Sequence, residues 1–586
     1  MKIRLLISTI MMLVVALFSV SAQASAQSDT PPYLDPTLSA EERTADLLAR
    51  MSLDEKIGQM TLVEKGSIQP PEVAKWYIGG ILSGGGGYPT GNNTPEGWLE
   101  MVSSYQEQAL QTPLAIPMIY GVDAVHGHNN VKGAVVFPHN IGLGATRNAE
   151  LVEKIGQVTA QEMIATGIYW DYAPVVAVPH DIRWGRNYEG YSENTEVVTT
   201  LATAFVRGLQ GEKLSDPFSV LATPKHFIGD GGTAWETSTT ENYKLDQGVT
   251  EVDEATLREL YLPPYQSVIE NGAQSIMISY SSWGGMKMHA QQYLITDVLK
   301  GELGFSGFIV SDWAGMDQIT SDYYTAMVTG INAGVDMNMV PYNYPQFIST
   351  VQKAVANGDI SMERIDDAVS RILKVKFEMG LFERPTGDAD LLAQFGSDEH
   401  RAVARQAVNE SLVLLQNKGQ TLPLAKDTPV IFVAGTGADN IGRQSGGWTI
   451  EWQGVDGDIG SGTSFLDAVK QTVSADTQIY YNQYSKFDDV VDASGNPLIA
   501  DVGIVVVAEH PYAEGRGDNA FLKLDRGDMN AVTKMRDQAK KLVIVLYSGR
   551  PVVITDDLEL SDAYIAAWLP GTEGNGVTDV LFGDQP

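Results

Sequence analysis

Ser311-Asp312-Trp313 follows the apolar run Phe308, Ile309 and Val310, so a carboxylate and an indole leave a short buried strand together. An acid in that place is held by the sheet yet open to a ligand, and Trp313 offers a flat apolar face beside it. A sugar ring presents the matching surfaces, hydroxyls at its rim and C–H groups on its faces. The plain alternative is an aspartate that caps the following helix. Repetition argues against it. Asp123 follows the apolar run 118–122, Lys225 and His226 follow 220–222, and Tyr280 follows 275–278. Arg183, Trp184, Arg186, Tyr188 and Glu189 crowd the loop after 169–178.

Within Lys225-His226-Phe227-Ile228-Gly229-Asp230-Gly231-Gly232 the glycines allow a ligand to approach the backbone. No Gly-Lys-Ser/Thr follows the glycine run, which excludes a P-loop. Zinc ligation by His126, His128 and His226 is disfavoured because no carboxylate stands at a familiar ligand spacing. In the second half, Glu509 comes directly off the apolar run 502–508, while Glu514 and Asp518 lie in a glycine-rich loop. A general acid needs a raised pKa, and a carboxyl at a strand end against apolar walls is the better placed for that, which favours Glu509. Residues 446–454, Gly-Gly-Trp-Thr-Ile-Glu-Trp-Gln-Gly, put two further indoles, Trp448 and Trp452, on a glycine-rich loop. They read either as a plug between domains or as a wall opposite Trp313.

The elements that must position these groups alternate between strand and helix over residues 40–380. Short apolar runs at 78–82, 118–123, 169–178, 220–222, 275–278, 308–310 and 334–337 are separated by amphipathic stretches such as 150–164 and 254–270. Residues 53–63 read as helical. The pattern predicts a TIM-like (β/α) barrel over 27–384 with its reactive groups at the carboxyl ends of the strands. A linker follows at 385–400. Over 401–586 the runs 430–434, 502–508, 542–547 and 563–568 lack polar alternation, which predicts a mainly parallel sheet with helices on both faces, an α/β sandwich domain. Helices are expected at 464–473, 529–540 and 576–582, and a chain that stops at the turn Gly583-Asp584-Gln585-Pro586 reads as truncated.

Composition bounds the partners. With 73 acidic against 40 basic residues the formal charge is −33, which argues against nucleic acid or an anionic membrane and leaves a neutral ligand unaffected. Lys2 and Arg4 precede the apolar run 5–20, and small residues at 22–26 supply cleavage sites, so residues 1–26 read as a secretory leader and the mature chain as exported, to periplasm or medium. No comparably long apolar run follows, so no membrane association is expected after cleavage. The absence of cysteine rules out disulfides and thiolate catalysis.

Taken in order, Gly-Val-Asp-Ala-Val-His-Gly at 121–127, Arg-Trp-Gly-Arg-Asn-Tyr-Glu at 183–189, the run at 225–232, Ser-Asp-Trp at 311–313, the run at 446–454 and Glu-His-Pro-Tyr at 509–512 resemble the two-domain β-glucosidases and exo-β-glucanases of glycoside hydrolase family 3. The resemblance runs from about residue 40 to the last residue. It implies a retaining, exo-acting enzyme on β-glucosides and β-linked gluco-oligosaccharides, with no metal or organic cofactor. It implies Asp312 as nucleophile and Glu509 as acid/base, supplied by different domains. Asp123, Arg186, Lys225, His226 and Tyr280 would surround the terminal glucosyl unit, Trp313 and Trp452 would clamp the next ring, and Glu241 would be a supporting carboxylate. The family's N-acetylglucosaminidase branch carries Pro and His where this chain has Ile228 and Asp230, which disfavours that branch. Two-domain members continue past this terminus into a further strand. A rival from another class is a secreted carbohydrate-binding protein without turnover. Aromatic walls serve both, whereas paired carboxylates across one pocket serve only the enzyme.

Overall fold

Ser52 starts a helix by accepting the backbone N–H of Glu55, whose side chain returns the bond in a capping box. That helix, Leu53–Gln59, stops four residues short of the expected end. Thr61–Glu64 is instead the first strand, β1, with Thr61, Leu62 and Val63 fully buried. A four-residue apolar strand cannot be told from a helix turn by periodicity, and only its pairing on both sides decides. The computed structural model describes residues 30–586, and the expected leader at 1–26 lies outside the described residues.

Seven further strands build the barrel: β2 (Gly80–Ser83), β3 (Ile119–Val122), β4 (Trp170–Asp171), β5 (Leu221–Ala222), β6 (Ser275–Met277), β7 (Phe308–Val310) and β8 (Asn338–Met339). Strands β1 to β5 pair in parallel with β8 in the order β8-β1-β2-β3-β4-β5, and β6 pairs in parallel with β7. Parallel bridges Phe227–Ile278 and Val310–Met337 join the two sheets. The eight strands therefore close in chain order into a barrel, and every loop at their carboxyl ends opens on one face. Outside it, α1 (Ala149–Ala165) and α2 (Thr195–Gln210) are capped by Asn148 and Asn194. The two helices touch backbone to backbone, because a Cβ on Gly208 would stand 2.0 Å from the carbonyl oxygen of Glu153. The last barrel helix is α3 (Met362–Glu378). Lys376 on α3 is buried and donates to Gln59 Oε1 and to the carbonyls of Gly79 and Pro117, closing the barrel's other end.

The segment read as a linker is packed rather than free. Gly387 touches the backbone of Gly167, and α4 (Asp398–Ser411) begins inside it. His400 Nδ1 lies 2.9 Å from Glu162 of α1, and Ala404 and Ala407 belong to the barrel core. On its other side, Arg405 pairs with Asp579 of the second domain. One helix thus belongs to both halves.

The second sheet comprises β9 (Val413–Asn417), β10 (Val430–Ala434), β11 (Gln478–Tyr481), β12 (Ala500–Ala508), β13 (Ala539–Tyr547) and β14 (Ala563–Trp568), in the order β9-β14-β13-β12-β10-β11. Only β9 is antiparallel to its neighbour. Alternate residues go to opposite cores: Ile504, Val506, Val543 and Val545 face one, Val505, Val507, Leu542 and Ile544 the other. The first is covered by α5 (Phe465–Thr472) and by α7 (Gly574–Leu581), the second by α6 (Arg526–Gln538). Both faces are buried, which is why these strands read as unbroken apolar runs. The two edge strands β9 and β11, half exposed and partly polar, carry no such signal.

Candidate active site

At the end of β7, the hydroxyl of Ser311 accepts the N–H of Met339, and the N–H of Asp312 donates to Nε2 of buried His289. The N–H of Trp313 donates to Asp312 Oδ1 at 2.7 Å. Oδ2 makes no hydrogen bond among the described residues and lies 3.7 Å from His226 Nε2. One oxygen is fixed and the other is free to react. Burial pushes the Asp312 carboxyl up to about 6, with Arg186, the Trp313 N–H and Lys225 pulling it down and Asp123 raising it further.

Beside it, Lys225 Nζ lies 2.5 Å from Asp123 Oδ1. Arg186 holds Glu189 in a bidentate pair at 2.9 and 2.8 Å. Its guanidinium also donates to His226 Nε2 at 3.2 Å, so that ring nitrogen accepts, and Nδ1–H donates to Asp230 at 2.8 Å. Burial first, then Arg186 and Lys225, hold His226 well below its ordinary pKa, which keeps it neutral. Asp123, Arg186, Lys225, His226, Tyr280, Asp312 and Trp313 all line one cavity of about 530 Å³. That volume lies within the range for ligand pockets.

The second domain supplies the opposite wall. Loop 446–454 docks on the barrel through Gly86 N–H to the Ile450 carbonyl, Asn129 to the Trp448 carbonyl, and His139 to the Gly447 carbonyl. Trp448 and Trp452 both line the cavity. Trp448 lies with Lys225 Nζ 5.6 Å from its ring centre, within cation–π reach. Glycines make room for the indoles at the rim. A Cβ on Gly84 would stand 3.0 Å from the Trp313 ring, and one on Gly85 would stand 2.5 Å from Trp452 Cα.

The acid that reaches this cavity from the second domain is Glu514, not Glu509. Glu514 lines the pocket, with Oε1 3.6 Å from Arg186 NH1 and its backbone in the left-handed region at φ 55°. Non-glycine residues take that conformation seldom. Burial pushes its carboxyl up to about 8 despite Arg186, and Asp246 and Asp312 raise it too. Glu509 turns into a separate crevice, where Oε2 accepts Tyr512 O–H at 3.0 Å and Gly549 N–H at 2.9 Å. The strand end points Glu509 along the sheet, and the chain needs five more residues to reach the barrel. Glu241 is likewise displaced from its expected supporting place: it is exposed and does not line the cavity. The carboxylate from that loop that interacts with the site is Asp246, buried, bonded to Trp184 Nε1 at 2.9 Å and in the field of Arg186. Tyr172, Glu64 and Tyr342 also line the cavity, with no local sequence pattern to mark them. A glutamate between an alanine and Gly-Arg-Gly is the signal that marks Glu514, since a tight turn there can carry the chain into a neighbour.

A parallel barrel that sends Asp123, Asp312 and Trp313, and an α/β sandwich that sends Glu514, Trp448 and Trp452, into one cavity between them define a two-domain glycoside hydrolase. The chain belongs to glycosyl hydrolase family 3: the family's N-terminal domain matches residues 52–375 and its C-terminal domain matches 412–586. It is 33% identical to a lysosomal beta glucosidase of Dictyostelium discoideum, over 93% of this chain and 71% of that one. Identity to a periplasmic beta-glucosidase of Salmonella typhimurium is 30%, over 93% of this chain and 73% of the relative. The crystal structure of an exo-1,3/1,4-beta-glucanase variant from a Pseudoalteromonas species superposes with a TM-score of 0.86 at 39% identity, covering 92% of this chain and 87% of that one.

Proposed function

We propose that this enzyme releases glucose from the non-reducing ends of β-glucosides and β-gluco-oligosaccharides with retention, using Asp312 as nucleophile and Glu514 as acid/base. The observation that carries this reading is that carboxylates from two domains face one cavity, with the second-domain acid pushed higher by burial than the first. Near neutral pH the proton then sits on Glu514 and the charge on Asp312. The Oδ2 atom of Asp312 attacks the anomeric carbon while Glu514 gives its proton to the departing oxygen. A water then hydrolyses the glycosyl-aspartate as Glu514 takes the proton back. Asp123, Lys225, Arg186 and His226 offer hydrogen-bond partners for the hydroxyls of one ring, and Tyr280 stands beside the nucleophile. Trp313 and Trp452, only half buried, form the walls nearer the mouth for a second ring. A buried polar end and an aromatic rim favour entry by a chain end. Names of relatives and the structural neighbour support β-glucosides as the substrate class.

Proton NMR of the glucose first released from an aryl β-glucoside, whose leaving group is not a sugar, tests the stereochemistry: β-glucose is expected, and first-formed α-glucose would overturn retention. Asp312→Ala should abolish turnover while glucose still binds, whereas substantial residual hydrolysis would exclude Asp312 as nucleophile. Export to the periplasm or medium is part of the same proposal, supported by the leader-like residues 1–26 and by a relative described as periplasmic. Fractionation of expressing cells should find the enzyme outside the cytoplasm, shortened at its N-terminus.

A further inference from the structure

Arg550 leaves the sheet just after β13 in Ser548-Gly549-Arg550-Pro551 and is fully buried, yet it lines no part of the cavity. Each of its donors has a different errand. Nε donates to the Tyr512 hydroxyl at 2.8 Å, and NH2 donates to the Gly517 carbonyl at 2.7 Å. NH1 donates across the domain boundary to the carbonyls of Arg183 and Trp184 at 3.1 and 3.3 Å. Tyr512 and Gly517 bracket Glu514. Arg183 and Trp184 directly precede Gly185 and Arg186, the residue that faces Glu514. Glu509 lies 3.5 Å from Arg550 Nε and accepts the Tyr512 O–H, so it is the counter-charge of this buried cation.

We infer that Arg550, with Glu509 and Tyr512, is a positioning device that fixes the Glu514 turn against the Arg186 loop and so sets the acid/base carboxyl over Asp312. A planar guanidinium can bond both ends of a turn and a second loop at once, because its five N–H groups diverge in fixed directions. A lysine ammonium cannot span them. The turn has little freedom once held. A Cβ on Gly185 would stand 1.8 Å from the Glu514 carbonyl oxygen, and one on Gly515 would stand 2.2 Å from the Tyr243 ring. The same triad explains why an acid stands at the end of β12 without entering the cavity.

The inference rests on Glu514 as the acid/base, and its test separates the two. For wild type, Glu514→Gln, Tyr512→Phe, Glu509→Gln and Arg550→Lys, kcat/KM is measured on cellobiose and on dinitrophenyl β-glucoside, whose leaving group needs no proton. Steady-state rates are also measured with and without azide, which replaces water without needing a base. General acid help is worth about 10²–10⁴-fold. A misplaced Glu514 should therefore cost Tyr512→Phe and Arg550→Lys about 10- to 100-fold on cellobiose, a few-fold at most on the activated substrate, and make them azide-responsive. A merely structural role would lower both substrates equally with no azide response, and that result, or no loss at all, overturns the inference. Tyr512→Phe removes one oxygen without changing shape, so it decides the matter even if Arg550→Lys does not fold. If Glu514→Gln lacks the leaving-group dependence, the acid/base reading falls and the inference with it. If Glu514→Gln shows it and Tyr512→Phe does not, only the positioning role falls.

Discussion

Asp312 and Glu514 share one cavity and one cation, Arg186, and burial raises both carboxyls by different amounts. On the mechanism proposed above, the reactive form has Asp312 ionised and Glu514 protonated. Raising the pH through about 6 ionises the nucleophile, and raising it through about 8 strips the acid. A plot of kcat/KM for cellobiose against pH should therefore be a bell with limbs near those values, reporting the free enzyme. On dinitrophenyl β-glucoside, whose leaving group needs no proton, the alkaline limb should be absent in wild type and in Glu514→Gln alike, while the acidic limb persists. An unchanged alkaline limb in that variant would assign it to another group, Asp230 being the next candidate because burial brings it to about 7. Neutral His226 is a poor source for either limb, since its ring is held by Arg186 and Asp230 in a form that cannot take a proton at Nε2 without losing the arginine bond.

At the scale of elements, loops from both domains form the rim of the cavity, and glycines set how closely they meet. Gly185→Ala would drive a methyl into the Glu514 carbonyl, which cannot move without shifting the catalytic turn. Its kcat on cellobiose should drop far more than its melting temperature, and equal retention of kcat would show that the turn tolerates displacement. Trp313 and Trp452 stand on loops of different domains beside the glycines at 84 and 85. Removing either ring should weaken a disaccharide more than glucose, by about 0.5–1.5 kcal/mol on the scale of aromatic pairs. Competitive inhibition by glucose and by a slowly hydrolysed thio-disaccharide measures this. Equal losses for both would place the rings around the first sugar.

For the molecule as a whole, activity depends on how the sandwich is seated on the barrel. Asp518 is a principal anchor: its carboxylate accepts the N–H groups of Gly185, Lys244, Leu245 and Asp246 at 3.0, 2.9, 2.7 and 3.0 Å. Four barrel amides thus converge on one second-domain side chain. Asp518→Ala should cost about 3 kcal/mol, the size of a lost hydrogen bond to a charged group. It should also reduce turnover, because the loop bearing Glu514 is no longer seated. Calorimetry paired with kcat measures both, and a stable variant with full turnover would show that the anchor is redundant. Docking from α4 and from loop 446–454 should keep the two halves together even then.

Much of this was written in the chain itself. Short apolar runs followed by charged and aromatic residues marked six of the eight barrel strands, the last strand β8 starting one residue past the run at 334–337, and placed Asp123, Lys225, His226, Tyr280, Asp312 and Trp313 near their ends, because a strand fixes where its next residues emerge. Unbroken apolar runs marked the central strands of the second sheet, since burial on both faces leaves no polar alternation. Strand β1 was hidden by an apolar segment equally suited to a helix, and the edge strands β9 and β11 by their exposure. The choice between Glu509 and Glu514 was not decided by local pattern, which marks a tight turn at Glu514 but not what that turn faces. A carboxyl at a strand end is positioned by the sheet, but one five residues into a loop is positioned by whatever holds the loop. Here that is Arg550, Asp518 and Gly185 of the facing barrel loop, the first and last far from Glu514 in sequence. Glu241 and Asp246 differ for the same reason: they share one loop, and only its path against Trp184 and Asp518 decides which carboxylate is buried beside Arg186.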